Sequence, residues 1–246
     1  MSLLSVNNLN SGYGKLHVLF DINLKCNRSE IVSVIGPNGS GKTTLLNSIF
    51  GLADIFSGSI TFDGGQINGM LPHEISRAGV SYLPQMNSVF ADLSVKENLK
   101  MAGYILNVKE LRDTMDEVLS IFPILEPFLS RKAGTLSGGE RQMLAIAMTL
   151  MRKPRLIMLD EPLAGLAPVV CQKLIEKIVD LRDRLGVGVI LVEQNAKKAL
   201  EISNNACLIV SGRSIFLGRP NELLRSEELV ELYLGLKAER KGVWND

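Results

Sequence analysis

The amino terminus, MSLLSVNNLN, lacks the basic stretch followed by an apolar one that marks a secretory signal. Long apolar runs are missing as well. None approaches the roughly 18 residues that span a bilayer, and one of the longest, Met143 to Met151, stops at Arg152-Lys153. The chain is therefore expected not to cross a membrane unaided. Cysteine is scarce: Cys26, Cys171 and Cys207 lie far apart in no metal-ligand spacing. They read as small buried residues of a reducing, cytoplasmic compartment, where the sequons Asn27-Arg28-Ser29 and Asn38-Gly39-Ser40 carry no meaning. An excess of one charge is also absent. With 27 Lys and Arg against 26 Asp and Glu the formal net charge is +1, which leaves no footprint for nucleic acid. Pairs such as Lys197-Lys198 read as solvated helix faces. No repeat and no low-complexity linker divides the 246 residues, enough for one large domain or two small ones.

What the chain has is concentrated in a few strings. EIVSVIGPNGSGKTTLLNSIFG, residues 30 to 51, sets a short β-branched run, Ile31 to Ile35, before Gly36-Pro37-Asn38-Gly39-Ser40-Gly41-Lys42-Thr43. The latter fits G-x-x-x-x-G-K-[ST], Thr44 after it is expected to bind nucleotide too, and Leu45 to Phe50 reads as helix with Gly51 as its stop. Glycines let successive backbone N–H groups converge on phosphate oxygens, and a helix N-terminus adds partial positive charge. Lys42 is expected at the β- and γ-phosphates and the Thr43 hydroxyl on Mg²⁺. This is a nucleotide site, with ATP and Mg²⁺ the expected ligands.

A second apolar strand, Leu156 to Leu159, ends in Asp160-Glu161-Pro162. Asp160 suits Mg²⁺, directly or through water, and Glu161 suits a general base on the attacking water. Between the two strands lies Thr135-Leu136-Ser137-Gly138-Gly139-Glu140-Arg141-Gln142. Ser137 and Glu140 have capping-box spacing, so the segment is at least a well-capped helix start. It is equally suited to offer N–H groups and a hydroxyl to the γ-phosphate held by another molecule. A third apolar strand, Val187 to Val192, runs into Glu193-Gln194-Asn195. Polar residues at the carboxyl end of such a strand sit where open α/β sheets keep their chemistry.

LSGGERQ, together with the two strand-end motifs, resembles the nucleotide-binding domain of ABC transporters over essentially the whole chain. The resemblance implies an α/β phosphate-loop NTPase core of the RecA type with an antiparallel β subdomain and an inserted helical subdomain. By position, the core and β subdomain would take about 1–87 and 153–220, the helical subdomain about 88–152, and a C-terminal helix about 221–236. Residue by residue it implies Tyr13 as the ring stacked on adenine, though a lone Tyr before Gly also suits a turn. It implies Gln85 at Mg²⁺ or the attacking water, and Ser137, Gly138 and Gly139 as the signature that covers a partner's ATP. Gln194 occupies the switch position, where most of the family has histidine, and Ala167 stands where the D-loop carries aspartate. His17 and His73, the two histidines present, precede the second strand motif and cannot substitute; both are expected at the surface or in loops. A glutamine amide can donate to the γ-phosphate but cannot titrate at neutral pH.

Finer strings narrow the resemblance. VEQNA, DEPLAGLAP, GTLSGGERQMLAI and a terminal YLG are similar to the LivF-type ATPases of branched-chain amino acid importers. LPQMNSVF around Gln85 is more like the lipopolysaccharide-export ATPase, which keeps the switch histidine; urea or amide importers and a soluble Fe–S assembly ATPase also remain open. The importer reading implies several partners. These are a second ATPase subunit of LivG type, integral permease subunits and, indirectly, an external solute-binding protein. Nucleic acid is not among them. The chain would then lie on the inner face of the cell membrane through the permease. Met86, Val89 and Phe90 are read either as lining the permease's docking groove or as core.

Overall fold

The computed structural model describes residues 2–86, 88–226 and 229. The chain opens with an antiparallel hairpin, β1 (Leu4–Tyr13) and β2 (Leu16–Cys26), whose alternating apolar residues bury one face. It then enters β3 (Ile31–Ile35), buried at every position, which delivers the phosphate loop and α1 (Lys42–Ile49). β4 (Asp54–Phe62) and β5 (Gly65–Gln66) return to the hairpin and complete a four-stranded sheet in the order β2-β1-β4-β5. A short helix, α2 (Pro72–Arg77), leads to β6 (Val80–Leu83).

A helical layer follows, containing α3 (Val95–Ala102), α4 (Val108–Ile121) and α5 (Gly138–Leu150). Each begins at a capping box, Ser94 with Glu97, Asn107 with Glu110 and Ser137 with Glu140, so their starts are written locally. The chain comes back through β7 (Leu156–Asp160), α6 (Pro168–Leu185) and β8 (Gly188–Glu193). It continues through α7 (Ala196–Ile202), β9 (Asn205–Val210), β10 (Arg213–Gly218) and α8 (Pro220–Leu224). Of the helix expected over 221–236, α8 covers Asn221 to Leu224 and ends with Arg225 as its C-cap; 227–228 and 230–236 lie outside the described residues.

The second sheet has six strands in the order β10-β9-β3-β8-β7-β6, parallel except for the edge strand β10. Its two faces bury different cores. Val32, Val34, Met158, Ile190, Val192 and Cys207 pack toward α1 and the four-stranded sheet. Ile31, Ile35, Ile157, Leu159, Leu191 and Leu208 pack toward the helices. Strands buried on both faces read as continuous apolar runs, which is why these were legible. All three cysteines are buried and free, and exposed His17 and His73 lie on β2 and α2 rather than in loops. Among the described residues no helix is long and apolar enough to cross a membrane.

Candidate active site

The parallel strands all end on one side, and the register sets their ends side by side: Ile35 faces Glu193, and Asp160 faces Val192. β3 therefore brings the phosphate loop beside the carboxylates of β7 and the trio after β8, while β6 brings Gln85 in from the far edge. This is the crevice outside the carboxyl ends of the strands, where such sheets bind ligands.

The loop is built for close approach. Gly36 has φ 151, and a Cβ there would lie 2.0 Å from the Ile209 carbonyl oxygen, so no side chain fits. Gly41 starts α1 in the left-handed region at φ 105. Pro37, Asn38 and Gly39 are exposed, whereas Ser40 and Thr44 are buried. Lys42 is 5% exposed and its ammonium donates to the carbonyls of Gly36 and Pro37 at 2.9 and 3.0 Å. Burial lowers its pKa, against the pull of Glu161, Asp160 and Glu193. Thr43 is exposed at the head of α1.

Asp160 is 2% exposed; one oxygen accepts from the Tyr82 hydroxyl at 3.3 Å and the other has no protein partner. Burial raises its pKa, opposed by the neighbouring Thr43 hydroxyl. Tyr82 was not anticipated; its position 78 residues away became meaningful only once β6 paired with β7. Glu161, immediately after β7, has φ 48, and its carboxylate accepts from the Gln85 amide at 2.8 Å. The two residues lie 76 positions apart in sequence, and the structure brings them into direct contact.

Gln194 is exposed at the end of β8. Its neighbour Glu193, unassigned from the sequence, is 3% exposed and accepts from the Leu163 N–H at 2.9 Å. Burial, then the charges of Glu161 and Asp160, push its pKa up to about 7. Tyr13 leaves 41% of its surface exposed, and its hydroxyl accepts from Asn47 of α1 at 2.7 Å. The signature residues stand apart from this cluster. Ser137 caps α5, accepting from the Glu140 N–H at 3.3 Å. A Cβ on Gly138 or Gly139 would meet Leu166 or Val170, not the phosphate loop.

Two buried polar atoms test whether ligands fit. Ser40 Oγ and Asp160 Oδ1 have no hydrogen-bond partner in the protein. A hydroxyl in a glycine-rich cradle suits a phosphate oxygen, and an orphaned carboxylate oxygen beside Thr43 suits a hard cation. Among the described residues no group of three or more His, Cys, Asp or Glu side chains is placed to hold a metal ion.

The fold and this crevice define a phosphate-loop ATPase. The family profile for ABC transporters matches residues 19–164, and the chain belongs to that family as one of its ATP-hydrolysing subunits. It is 51% identical to the probable branched-chain amino acid transport ATP-binding protein LivF of Archaeoglobus fulgidus, over 93% of this chain and 97% of that one. It is 41% identical to the high-affinity branched-chain amino acid transport ATP-binding protein BraG of Pseudomonas aeruginosa, over 95% and 100%. A solved ATP-binding cassette of an ABC transporter, in its ADP conformation, superposes with a TM-score of 0.85 at 26% identity, covering 94% of this chain and 98% of the other.

Proposed function

We propose that this chain powers an ABC importer of branched-chain or other hydrophobic amino acids. The observation that carries the reading is the 51% identity with LivF across nearly the full length of both proteins. The lipopolysaccharide-export alternative fits less well, because Gln194 stands where that ATPase keeps histidine. In this reading the chain sits on the inner face of the cell membrane against permease subunits fed by an external solute-binding protein. It pairs with a second ATPase of LivG type, so that each signature covers the other's ATP.

Within the site, Gly36–Thr44 cradle the phosphates, Lys42 offsets β/γ charge, and the Tyr13 ring stacks on adenine. Thr43, Asp160 and Gln85 hold Mg²⁺. Bound Mg²⁺ supplies Lewis-acid stabilisation of the charge on the transferring phosphoryl group. Glu161 accepts the proton of the attacking water, and Gln85 aligns that water through the contact it already makes with Glu161. Gln194 donates its amide N–H to the γ-phosphate. Ser137 and Gly138, exposed at the start of α5, and Gly139, buried behind them against Val170, serve the partner's nucleotide rather than their own.

Copurification with its permease tests the assembly, and uptake of radiolabelled leucine by proteoliposomes containing the complex tests the cargo. A complex that hydrolyses ATP but leaves leucine, isoleucine and valine outside would reject the amino acid assignment. Absence of any integral membrane partner would reject the transporter.

A further inference from the structure

Glu193 is the member of the Glu193-Gln194-Asn195 trio that the proposed chemistry leaves without a task. Asn195 caps α7, accepting from the Lys198 N–H at 3.4 Å, and Gln194 is exposed. Glu193 is instead buried, and a buried carboxylate persists only when it is hydrogen-bonded. Its bond crosses from the end of β8 to the turn that follows β7, taking the Leu163 N–H at 2.9 Å.

That turn is strained. Glu161 lies in the left-handed region at φ 48, which a glutamate holds only where its surroundings over-determine the backbone. Two bonds from β8 restrain it. The Glu161 N–H donates to the Val192 carbonyl at 2.9 Å, and two residues on Leu163 is held by Glu193. The first is main chain to main chain, so Glu193 is the side-chain restraint from β8, with the Cys171 thiol of α6 adding a weaker bond to the Leu163 carbonyl at 3.7 Å. Beyond Leu163 the segment leads through Leu166 to α6, against which the signature glycines pack.

We propose that Glu193 is the positioning residue of the catalytic turn. By holding the Leu163 N–H it keeps Glu161 aimed at the phosphate crevice and locks the following loop to the strand end that carries Gln194. The proposal rests on the reading of Glu161 as the general base.

The experiment compares the wild type with Glu193→Met, which keeps the volume but removes the acceptor, and Glu193→Gln, which keeps an acceptor oxygen. Amide hydrogen exchange across 161–166 is read on the isolated chain, ATP affinity by calorimetry, and kcat in an assembled pair whose partner has its own catalytic glutamate replaced by glutamine, so that turnover reports this chain's site alone. Losing one hydrogen bond corresponds to about a two- to tenfold change, so Glu193→Met should speed exchange at Leu163 and lower kcat by a factor in that range. ATP affinity should stay within about twofold, since the phosphate contacts lie elsewhere. Glu193→Gln should recover both exchange protection and turnover. Unchanged exchange in Glu193→Met, faster exchange with unchanged kcat, or equal effects of Met and Gln would each overturn the proposal. If Glu193→Met does not fold, Glu193→Asp, one methylene short of Leu163, carries the same expectations and the same overturning outcomes. Should Glu161→Gln itself retain full turnover, the base reading fails, an outcome separate from any result at position 193.

Discussion

Three carboxylates crowd the ends of β7 and β8, and burial treats them unequally. Asp160 and Glu193 are 2% and 3% exposed, and both have raised pKa values, whereas Glu161 is half-buried and bonded to Gln85. Glu193 titrates at about 7 against an ordinary 4.5, so the fold favours its neutral form. Its contribution to stability is whole below about pH 4.5 and is lost as the pH rises through about 7. Glu193→Gln fixes the neutral form. Urea unfolding of the nucleotide-free chain should therefore show the variant gaining on the wild type by on the order of 1–3 kcal/mol between pH 5 and pH 8. A gap that stays constant over that range would mean the carboxyl titrates normally. Lys42 stands at the opposite pole of the same cluster, its ammonium capping loop carbonyls that the phosphates would replace as partners. Lys42→Ala removes the one side-chain cation on the β/γ-phosphates, and calorimetry should show tight Mg-ATP binding abolished. Unchanged affinity would dismiss the phosphate-loop assignment. Glu161→Gln should keep that binding and stall turnover at this chain's site, because an amide cannot take the water's proton.

At the scale of elements, the helical layer meets the sheet core along a groove of about 300 Å³ between β6, α5 and the segment after Gln85. Val89 and Phe90 line it; Val89 also packs on the core, while Phe90 and Met86 are 52% and 73% exposed. Val89 therefore packs as part of the core, while Phe90 and Met86 are exposed and in the proposed assembly would meet a permease helix. Phe90→Glu should uncouple transport while sparing basal ATPase and the melting temperature. Loss of folding instead would return Phe90 to the core. The elements differ in how far local sequence declares them. β3, β7 and β8 are buried on both faces and appear as unbroken apolar runs, and α3, α4 and α5 announce themselves by capping boxes. β10 alternates exposed and half-buried residues along a sheet edge, too faint a pattern to stand out. The contacts of Tyr82 with Asp160, Gln85 with Glu161, and Glu193 with Leu163 depend on strand order and register. No local string encodes those, so motif residues were legible and the residues that support them were not.

For the whole molecule, the proposed pairing would give this chain one half of each of two sites, its phosphate loop in one and Ser137–Gly139 in the other. A subunit with Gln194 at the switch and Ala167 in the D-loop is poorly equipped to run two identical sites with its own copy. The proposed LivG-type pairing resolves this by making the sites unequal. In that pairing the site on this chain's phosphate loop would have Gln194 at its γ-phosphate, and the other would have the partner's residue, expected to be histidine. Removing one oriented donor beside a transferring phosphoryl group lowers rate by on the order of 10²–10³ in comparable electrostatic sites. Glutamine recovers part of that through its amide, so this site should turn over slowly rather than not at all. The Glu161–Gln85 contact and the Glu193 restraint are intact here, which argues for a working base and against a purely structural site. ATPase of the reconstituted pair, measured after inactivating each chain's catalytic glutamate in turn, separates the two sites. The matching change in the partner should cost more turnover than Glu161→Gln does here, because the partner carries the faster site. Equal losses from the two substitutions would make the sites equivalent and remove the asymmetry.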